Sequence, residues 1–136
     1  MAHLGSTIRV LSETGETIVN AQLIEETEDN FSGESVPPPQ VVEAGNPTSK
    51  TWTAASFSAG RSVSTGIWTS EPGILKVKNY PVDEVFTVLS GRIDVTNEDG
   101  STVSVGPGQS CLLRKGWTGL FHTVEQTRKC FVTAKD

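Results

Sequence analysis

Positive charge is in short supply in this chain, which has 11 Lys and Arg against 16 Asp and Glu among its 136 residues. The net charge of -5 leaves no excess of cations to follow a phosphate backbone. Long apolar runs are also missing, and none approaches the roughly 20 residues that a membrane-spanning helix needs. The sequence therefore argues against nucleic acid and membrane partners.

Cysteine and histidine are scarce as well. Two cysteines, Cys111 and Cys130, make no disulfide framework in a chain long enough to bury a core as one domain. The only histidines that could activate them are His3 and His122, so we expect buried and unreactive thiols. The opening stretch MAHLGSTIRV lacks the basic and then apolar build of a secretory signal, and we expect a cytoplasmic protein.

Turn signals recur along the chain between short segments rich in Val, Ile, Thr, Phe and Trp, and helical periodicity is missing. Asp99-Gly100 predicts a two-residue hairpin turn with positive φ at both residues, and Pro107-Gly108 suits a type II turn. Strands at this spacing predict an all-β sandwich or barrel. Apolar residues at alternate strand positions are predicted to form the core: Phe57, Phe86, Phe121 and Phe131.

The first third of the chain has a different composition. A possible hairpin in TIRVLSETGETIVNAQL precedes a polar, acidic stretch with three successive prolines at 37–39. Prolines donate no backbone hydrogen bond and hold an extended path. We interpret residues 1–50 as a hairpin and an irregular Pro-rich arm packed on a barrel of residues 51–136. The alternatives are a flexible linker and an arm that wraps a partner subunit.

Residues 66–132 carry a series of short motifs in a fixed order: Gly66-x-Trp68, Pro72-Gly73, Glu84 ahead of Gly91, Asp99-Gly100, Gly106-x-Gly108, Lys115-Gly116 and Arg128-Lys129. This series resembles the cupin superfamily and, within it, the small single-domain proteins similar to the (S)-ureidoglycine aminohydrolase group. The resemblance covers about half of the chain. It implies a jelly-roll β-barrel with a small-molecule site inside and two barrels paired as a homodimer.

The metal ligands of that superfamily are mostly missing here. Metal-binding cupins carry two histidines and a glutamate in a first motif and one histidine in a second. Aligned on Glu84, the two histidine positions hold Lys78 and Tyr80, and the last position holds Gly119. One carboxylate cannot hold a divalent metal that needs about three protein ligands. With Gly119 facing inward, His122 faces outward unless a bulge changes the phase, so we expect neither metal nor cofactor.

The candidate site therefore consists of organic groups. The alignment points Lys76, Lys78 and Tyr80 inward. Glu84 is the candidate acid/base, Tyr80 the hydrogen-bond donor, and Lys78 the anion binder and ion-pair partner that a buried carboxylate needs. An ion pair that only holds strands together, and a tyrosine that only packs, are the alternatives. Further candidate substrate contacts lie on the strands and at the rim of the predicted barrel: Trp68, Lys76, Phe86, Arg114, Trp117 and Phe121. Arg128 and Lys129 are interpreted as rim residues that could clamp an anion.

Two functions stay open. The first is a metal-independent lyase, isomerase or hydrolase acting on a small, polar, nitrogen-containing carboxylate, a substrate class that the resemblance implies. The second is a non-catalytic barrel that holds a metabolite as a sensor or accessory protein. The sequence contains no motif for a Ser/His/Asp set, a phosphate-binding loop or a zinc cluster.

Overall fold

The computed structural model describes residues 9–11 and 17–136, with side-chain positions from residue 20 onward. Two short 3-10 helices, Glu28–Asn30 and Pro39–Val41, interrupt a chain otherwise built of strands. The strands in chain order are: β1 Arg9–Leu11, β2 Thr17–Val19, β3 Phe31–Ser35, β4 Val42–Gly45, β5 Ser49–Ser58, β6 Ser62–Ser70, β7 Gly73–Val77, β8 Asp83–Ser90, β9 Ile93–Asn97, β10 Thr102–Val105, β11 Ser110–Leu113, β12 Gly119–Thr123 and β13 Thr127–Lys135. In this part of the chain, no helix is long and apolar enough to span a membrane.

Two antiparallel sheets enclose the core. One has the strand order β10-β9-β12-β7-β4 and the other β11-β8-β13-β6-β5-β3, while β1 and β2 pair with each other. The buried cluster draws Phe86 and Phe131 from the six-stranded sheet and Ile93, Val95 and Phe121 from the five-stranded one. Burying each such side chain contributes about 1.5–3 kcal/mol, which explains why these strands close face to face. The all-β barrel expected from the sequence is confirmed.

Phe57 departs from the predicted core. It is 41% exposed, because a β-bulge between Thr53 and Ala55 changes the phase of β5 against β6. Phe57 therefore lies opposite Val63 on the outer side of the barrel. The other three predicted core phenylalanines are buried.

The two predicted turns lie where the sequence placed them, but the first has another geometry. Asn97 N–H donates to the Ser101 carbonyl at 2.7 Å, which leaves a three-residue loop, and of its residues only Gly100 has positive φ. The predicted two-residue turn is therefore wrong in its detail. The carboxylate of Asp99 accepts a hydrogen bond from Ser101 N–H at 2.9 Å and stabilises the loop from within. Gln109 N–H donates to the Gly106 carbonyl at 3.0 Å across Pro107-Gly108, as a type II turn requires.

The polar segment after β2 runs along the barrel and adds an edge strand to each sheet. β3 pairs with β5, and β4 pairs with β7. The three prolines lie between these two strands, where the chain passes from one sheet to the other. The segment is thus more regular than the sequence indicated, and the division of the chain at residue 50 stays a prediction.

Candidate functional site

Glu84 is the centre of a buried polar cluster. Its carboxylate accepts a hydrogen bond from the Tyr80 hydroxyl on one oxygen and from Lys129 Nζ, at 2.8 Å, on the other. The side chains of Glu84 and Lys129 are only 4% and 6% exposed. Glu84, Tyr80 and Lys129 are called the trio below. A carboxylate tolerates such burial because a cation and a donor replace the water it has lost.

Aromatic rings surround the ammonium group of Lys129. Its Nζ lies 4.5 Å from the ring centroid of Trp68, 4.4 Å from that of Phe86 and 5.1 Å from that of Phe121. The negative faces of aromatic rings attract a cation, and the attraction grows when water is excluded. The rings and Glu84 together hold the Lys129 charge inside the barrel.

Neighbouring elements bring the trio together. Glu84 lies on β8 and Lys129 on β13, which pair in the six-stranded sheet. Tyr80 lies in the loop between β7 and β8, where its N–H donates to the Trp117 carbonyl and its carbonyl accepts from Gly116 N–H, each at 2.8 Å. These bonds hold the loop against the segment before β12 and aim the phenol at Glu84.

Two cavities meet at the trio, and both are lined by Trp68, Tyr80 and Lys129. The first, of about 170 Å³, has mainly apolar walls and is lined by: Ser35, Pro37, Pro47, Ser49, Trp68, Leu75, Val77, Tyr80, Phe121 and Lys129. The second, of about 220 Å³, is lined by: Thr51, Trp68, Tyr80, Glu84, Lys129, Phe131 and Thr133. Ligand pockets in proteins are mainly apolar with a few convergent polar groups, and the first cavity has this character.

Burial raises the pKa of the Tyr80 phenol, and the negative charge of Glu84 and the hydrogen bond to it raise that pKa further. The phenol is therefore protonated throughout the physiological range and acts as a donor. The trio thus combines a carboxylate that can take up a proton with a phenol and an ammonium that can donate hydrogen bonds.

The trio does not fit a divalent transition metal. Both oxygens of Glu84 are engaged by protein donors, and the ammonium of Lys129 would repel a cation at the same place. Within the described residues, no group of three or more His, Cys, Asp or Glu side chains lies close enough together to hold a metal ion.

Lys76 and Lys78 are not in the cavity, contrary to the sequence prediction. Both are exposed, and Lys76 Nζ lies 3.8 Å from the Glu43 carboxylate on the outside. Leu75 and Val77 pack against the core and set the phase of β7, because burying two apolar side chains outweighs burying two lysines. The predicted pairing of Lys78 with Glu84 is wrong.

Lys129, and not Lys78, is the ion-pair partner of Glu84. Lys129 was predicted to be a rim residue, yet it reaches the carboxylate of a residue 45 positions earlier in the chain. The sequence contained a signal for this inward position. Lys129 precedes the core residue Phe131 by two positions, and side chains at that spacing share one face of a strand.

Two other predicted contacts lie outside the cavities. Arg114 is exposed and pairs with Asp83 at 3.1 Å, since it follows the end of β11 on the outer surface. Trp117 donates from its indole nitrogen to Asn97 at 2.9 Å and packs edge-on against Tyr80, with ring centroids 6.4 Å apart. Trp117 therefore supports the phenol from behind. Trp68, Phe86 and Phe121 do lie at the site, where they surround Lys129.

The remaining titratable candidates have no part in the trio. Phe121 and Thr123 are buried, and His122 between them lies opposite Asp94 on the other face of β12, as strand alternation indicated. Cys111 and Cys130 are free, and burial raises the pKa of both thiols, which disfavours the reactive thiolate.

Comparisons with known proteins agree with this architecture. A family model described as an EutQ-like cupin domain matches residues 57–131. No match was found among functionally curated proteins. A Pseudomonas syringae pv. tomato protein of unknown function superposes with a TM-score of 0.67 and 19% identity over 76% of this chain and 43% of its own. The chain thus spans less than half the length of that protein.

Two solved structures match over nearly their full length. The EutQ protein of Clostridium difficile superposes with a TM-score of 0.59 and 18% identity, covering 95% of this chain and 94% of its own. A putative ethanolamine utilization protein Q from Salmonella typhimurium gives a TM-score of 0.53 and 17% identity, with 98% of each chain covered. At these identities the likeness shows a shared fold.

Proposed function

This chain belongs to the EutQ-like cupin family, and from its barrel site we propose that it binds a small molecule beside the trio and transfers a proton there without a metal. One observation carries the proposal: a carboxylate only 4% exposed lies between an ammonium and a phenol where two cavities meet. Groups held in such surroundings are typical of functional sites.

Stability alone is a weak explanation for the ion pair. Replacing a buried pair with apolar residues of similar volume is often neutral or stabilises a protein by about 1–4 kcal/mol. The core around Glu84 and Lys129 is aromatic and aliphatic and could be completed by apolar side chains. A function for the two charges therefore explains their presence in the core better than packing does.

The proposed chemistry divides the roles within the trio. Glu84 takes a proton from the bound molecule or returns one, as a general base and acid. Tyr80 donates a hydrogen bond that orients this carboxylate, and Lys129 stabilises negative charge that develops on the reacting molecule. A lyase, an isomerase or a hydrolase that works by proton transfer fits this arrangement. The aminohydrolase reaction implied by the resemblance depends on a metal, which the trio does not fit.

A non-catalytic binding module is the second candidate. Both oxygens of Glu84 are already hydrogen-bonded by protein groups, so the trio is satisfied without a reacting partner. In that case the cavity holds a metabolite, and the protein acts as a sensor or accessory protein. The two candidates differ in whether a bound compound is converted.

A ligand screen followed by turnover assays separates these candidates. Small acids, amides and carbonyl compounds are screened by thermal shift, and each ligand found is then followed by NMR for conversion. We expect Glu84→Gln, assayed at a temperature where circular dichroism shows it folded, to bind a converted ligand and to lower its turnover by about 10²–10⁴-fold. Lys78→Met, at an exposed position, is the control and should leave ligand binding and turnover unchanged. Conversion at the wild-type rate in Glu84→Gln would show that Glu84 is not the general base. A ligand that the wild type binds and never converts would favour the binding module.

We also propose that the protein is cytoplasmic, as its sequence composition indicated, and that it forms a homodimer, as the resemblance implied. Free cysteines suit a reducing compartment. The outer face of the six-stranded sheet carries an apolar row in direct register, with Leu112 and Val132 on either side of Val85. Exposed apolar patches on otherwise polar surfaces are typical of interaction sites and support self-association here.

A further inference from the structure

The charge balance at the trio limits what the barrel can bind. Among the described residues that line the two cavities, the charged ones are Lys129 and Glu84. They neutralise each other at 2.8 Å. An entering anion would share one ammonium with Glu84, and two carboxylates at one buried cation disfavour each other's charged form. An entering cation would meet the same ammonium. The lining therefore favours an uncharged occupant.

The ammonium group still has capacity to donate. It carries three N–H donors, of which one reaches Glu84. Among the described residues, no further oxygen accepts from it, and the ring faces of Trp68, Phe86 and Phe121 are its other neighbours. Lys129 lines the first cavity, where an acceptor oxygen on a ligand would receive a charge-assisted hydrogen bond.

The rest of the first cavity suits an apolar body. Leu75 and Val77 from one sheet face Trp68 from the other, and Pro37 and Pro47 complete the wall. The volume of about 170 Å³ admits only a small molecule, since ligand pockets for drug-sized compounds measure about 300–1,000 Å³. A chain of a few carbons is therefore the matching size.

We propose that the cavity takes a small uncharged carbonyl compound, an aldehyde, ketone or primary amide with a short apolar chain, whose oxygen accepts a hydrogen bond from Lys129. The inference rests on the proposed function and assigns its substrate class. It replaces the carboxylate that the resemblance implied, because the anion binder expected for that substrate, Lys78, is exposed, and the ammonium that is in the barrel, that of Lys129, is neutralised by Glu84. The hydroxyls of Ser35 and Ser49 line the same cavity and are available to an amide nitrogen.

Compounds of one chain length and different charge test the proposal on the unmodified protein. Binding of butanamide, butanone, butanoate and butylammonium is measured near neutral pH by ligand-observed NMR titration. We expect butanamide or butanone to bind at least tenfold tighter than butanoate, and butylammonium to bind no tighter than butanoate. Butanoate binding equal to or tighter than that of both carbonyl compounds would overturn the proposal.

Variants assign the preference to Lys129. The double change Lys129→Met with Glu84→Gln removes both charges together, so that no unpaired buried charge remains to unfold the barrel. It should weaken the binding of butanamide and butanone at least tenfold, whereas Lys78→Met should leave it unchanged. Carbonyl binding that keeps its affinity in the double variant would overturn the role of Lys129. Failure of all four compounds to bind would refute the substrate class alone, since the proposed function is judged by its wider screen.

Discussion

At the scale of single residues, the environment of Lys129 decides the chemistry of the barrel. A lysine is almost never buried without a partner. Lys129 has the Glu84 carboxylate at 2.8 Å and three aromatic rings around it. Each charge of the pair makes the burial of the other possible, so neither side chain can be changed alone without leaving an uncompensated charge.

Lys129→Met should therefore lower the free energy of unfolding by about 3–5 kcal/mol, because Glu84 is left buried without a counterion. Lys78→Met, at an exposed position, should change it by less than about 0.5 kcal/mol. Urea unfolding of the two variants and of the wild type measures these two changes in the free energy of unfolding. Adding Glu84→Gln to Lys129→Met should recover part of the loss, since paired residues are not additive. Equal stabilities of the two single variants would contradict the buried pair.

Tyr80 offers a spectroscopic readout, because it is the single tyrosine of the chain. Its pKa in the folded protein is raised by burial and by Glu84. Below the unfolded pKa of about 10, both states keep the phenol protonated. At higher pH only the unfolded chain loses the proton, so the free energy of unfolding falls by about 1.36 kcal/mol per pH unit until the folded pKa is reached.

Alkaline titration should accordingly show no tyrosinate absorbance in the native protein at a pH where the urea-unfolded protein is fully ionised. Tyr80→Phe should remove the tyrosine part of the alkaline slope in stability. A native titration that coincides with that of the unfolded chain would mean that the phenol is not buried against Glu84.

At the scale of elements, the turn between β8 and β9 depends on Gly91. Its φ is +89°, and a Cβ there would lie 2.3 Å from Thr127 Oγ1 and 2.5 Å from the Gln126 carbonyl oxygen. Gly100, in the next hairpin, has the same φ but nothing within 4 Å of such a Cβ. The two glycines share one backbone conformation and differ in the space around them.

Gly100→Ala should destabilise the protein by about 1–2 kcal/mol, the cost of a left-handed conformation. Gly91→Ala should cost about 1–3 kcal/mol more, because the methyl group also collides with β13. Chemical denaturation of both variants measures the difference. Equal costs would show that Thr127 and Gln126 move aside without penalty.

Asp83 at the start of β8 joins three parts of the barrel. It accepts from Lys115 N–H at 2.8 Å, from Arg61 at 2.8 Å and from Arg114 at 3.1 Å. The hydrogen bond from Lys115 N–H, followed by those from the two arginines, lowers the pKa of its carboxyl group. Asp83 thereby holds β8, and Glu84 beside it, against the loop after β11.

Acid should weaken this contact in a defined direction. The contribution of Asp83 is present above the unfolded pKa of about 3.9 and is lost as the pH falls towards the lower folded pKa. Asp83→Asn should lower stability at neutral pH and reduce the further loss between neutral and acidic pH. Thermal unfolding over a pH series measures this, and an unchanged acid dependence in the variant would contradict it.

At the scale of the whole molecule, the outer face of the six-stranded sheet carries an exposed apolar row. Val85, Val132 and Leu112 are 46%, 45% and 59% exposed and lie in one row. We expect sedimentation to show a dimer in which this row is covered, because removing apolar surface from water favours association. The double change Val85→Lys and Val132→Lys should give monomers.

Val103 is the matched control for this test, since it is 47% exposed on the opposite sheet. Val103→Lys should leave the sedimentation coefficient unchanged. A monomeric wild type would refute the dimer, and a dimer that persists in the double variant would exclude this face as its interface.

The amino-acid sequence alone determined the class of the fold and the centre of the site. Period-two burial, turn residues and short strands are local signals, and they predicted the barrel, the hairpins and the inward Phe86 and Phe121, while the resemblance to cupins implied the inward Glu84. The proposed preference of the cavity for uncharged carbonyl compounds could not be derived from these local signals, because it depends on which cation neutralises Glu84.

Tertiary structure alone decided the partner of Glu84. The phase of β7 follows from the packing of Leu75 and Val77, which turns Lys78 to the solvent. The pairing of β8 with β13 brings Lys129 from 45 residues away to the same carboxylate. The bulge in β5 that exposes Phe57 likewise depends on how that strand pairs with β6. Strand phase and strand partners are set by the competition of all apolar faces for one core, which no single segment contains.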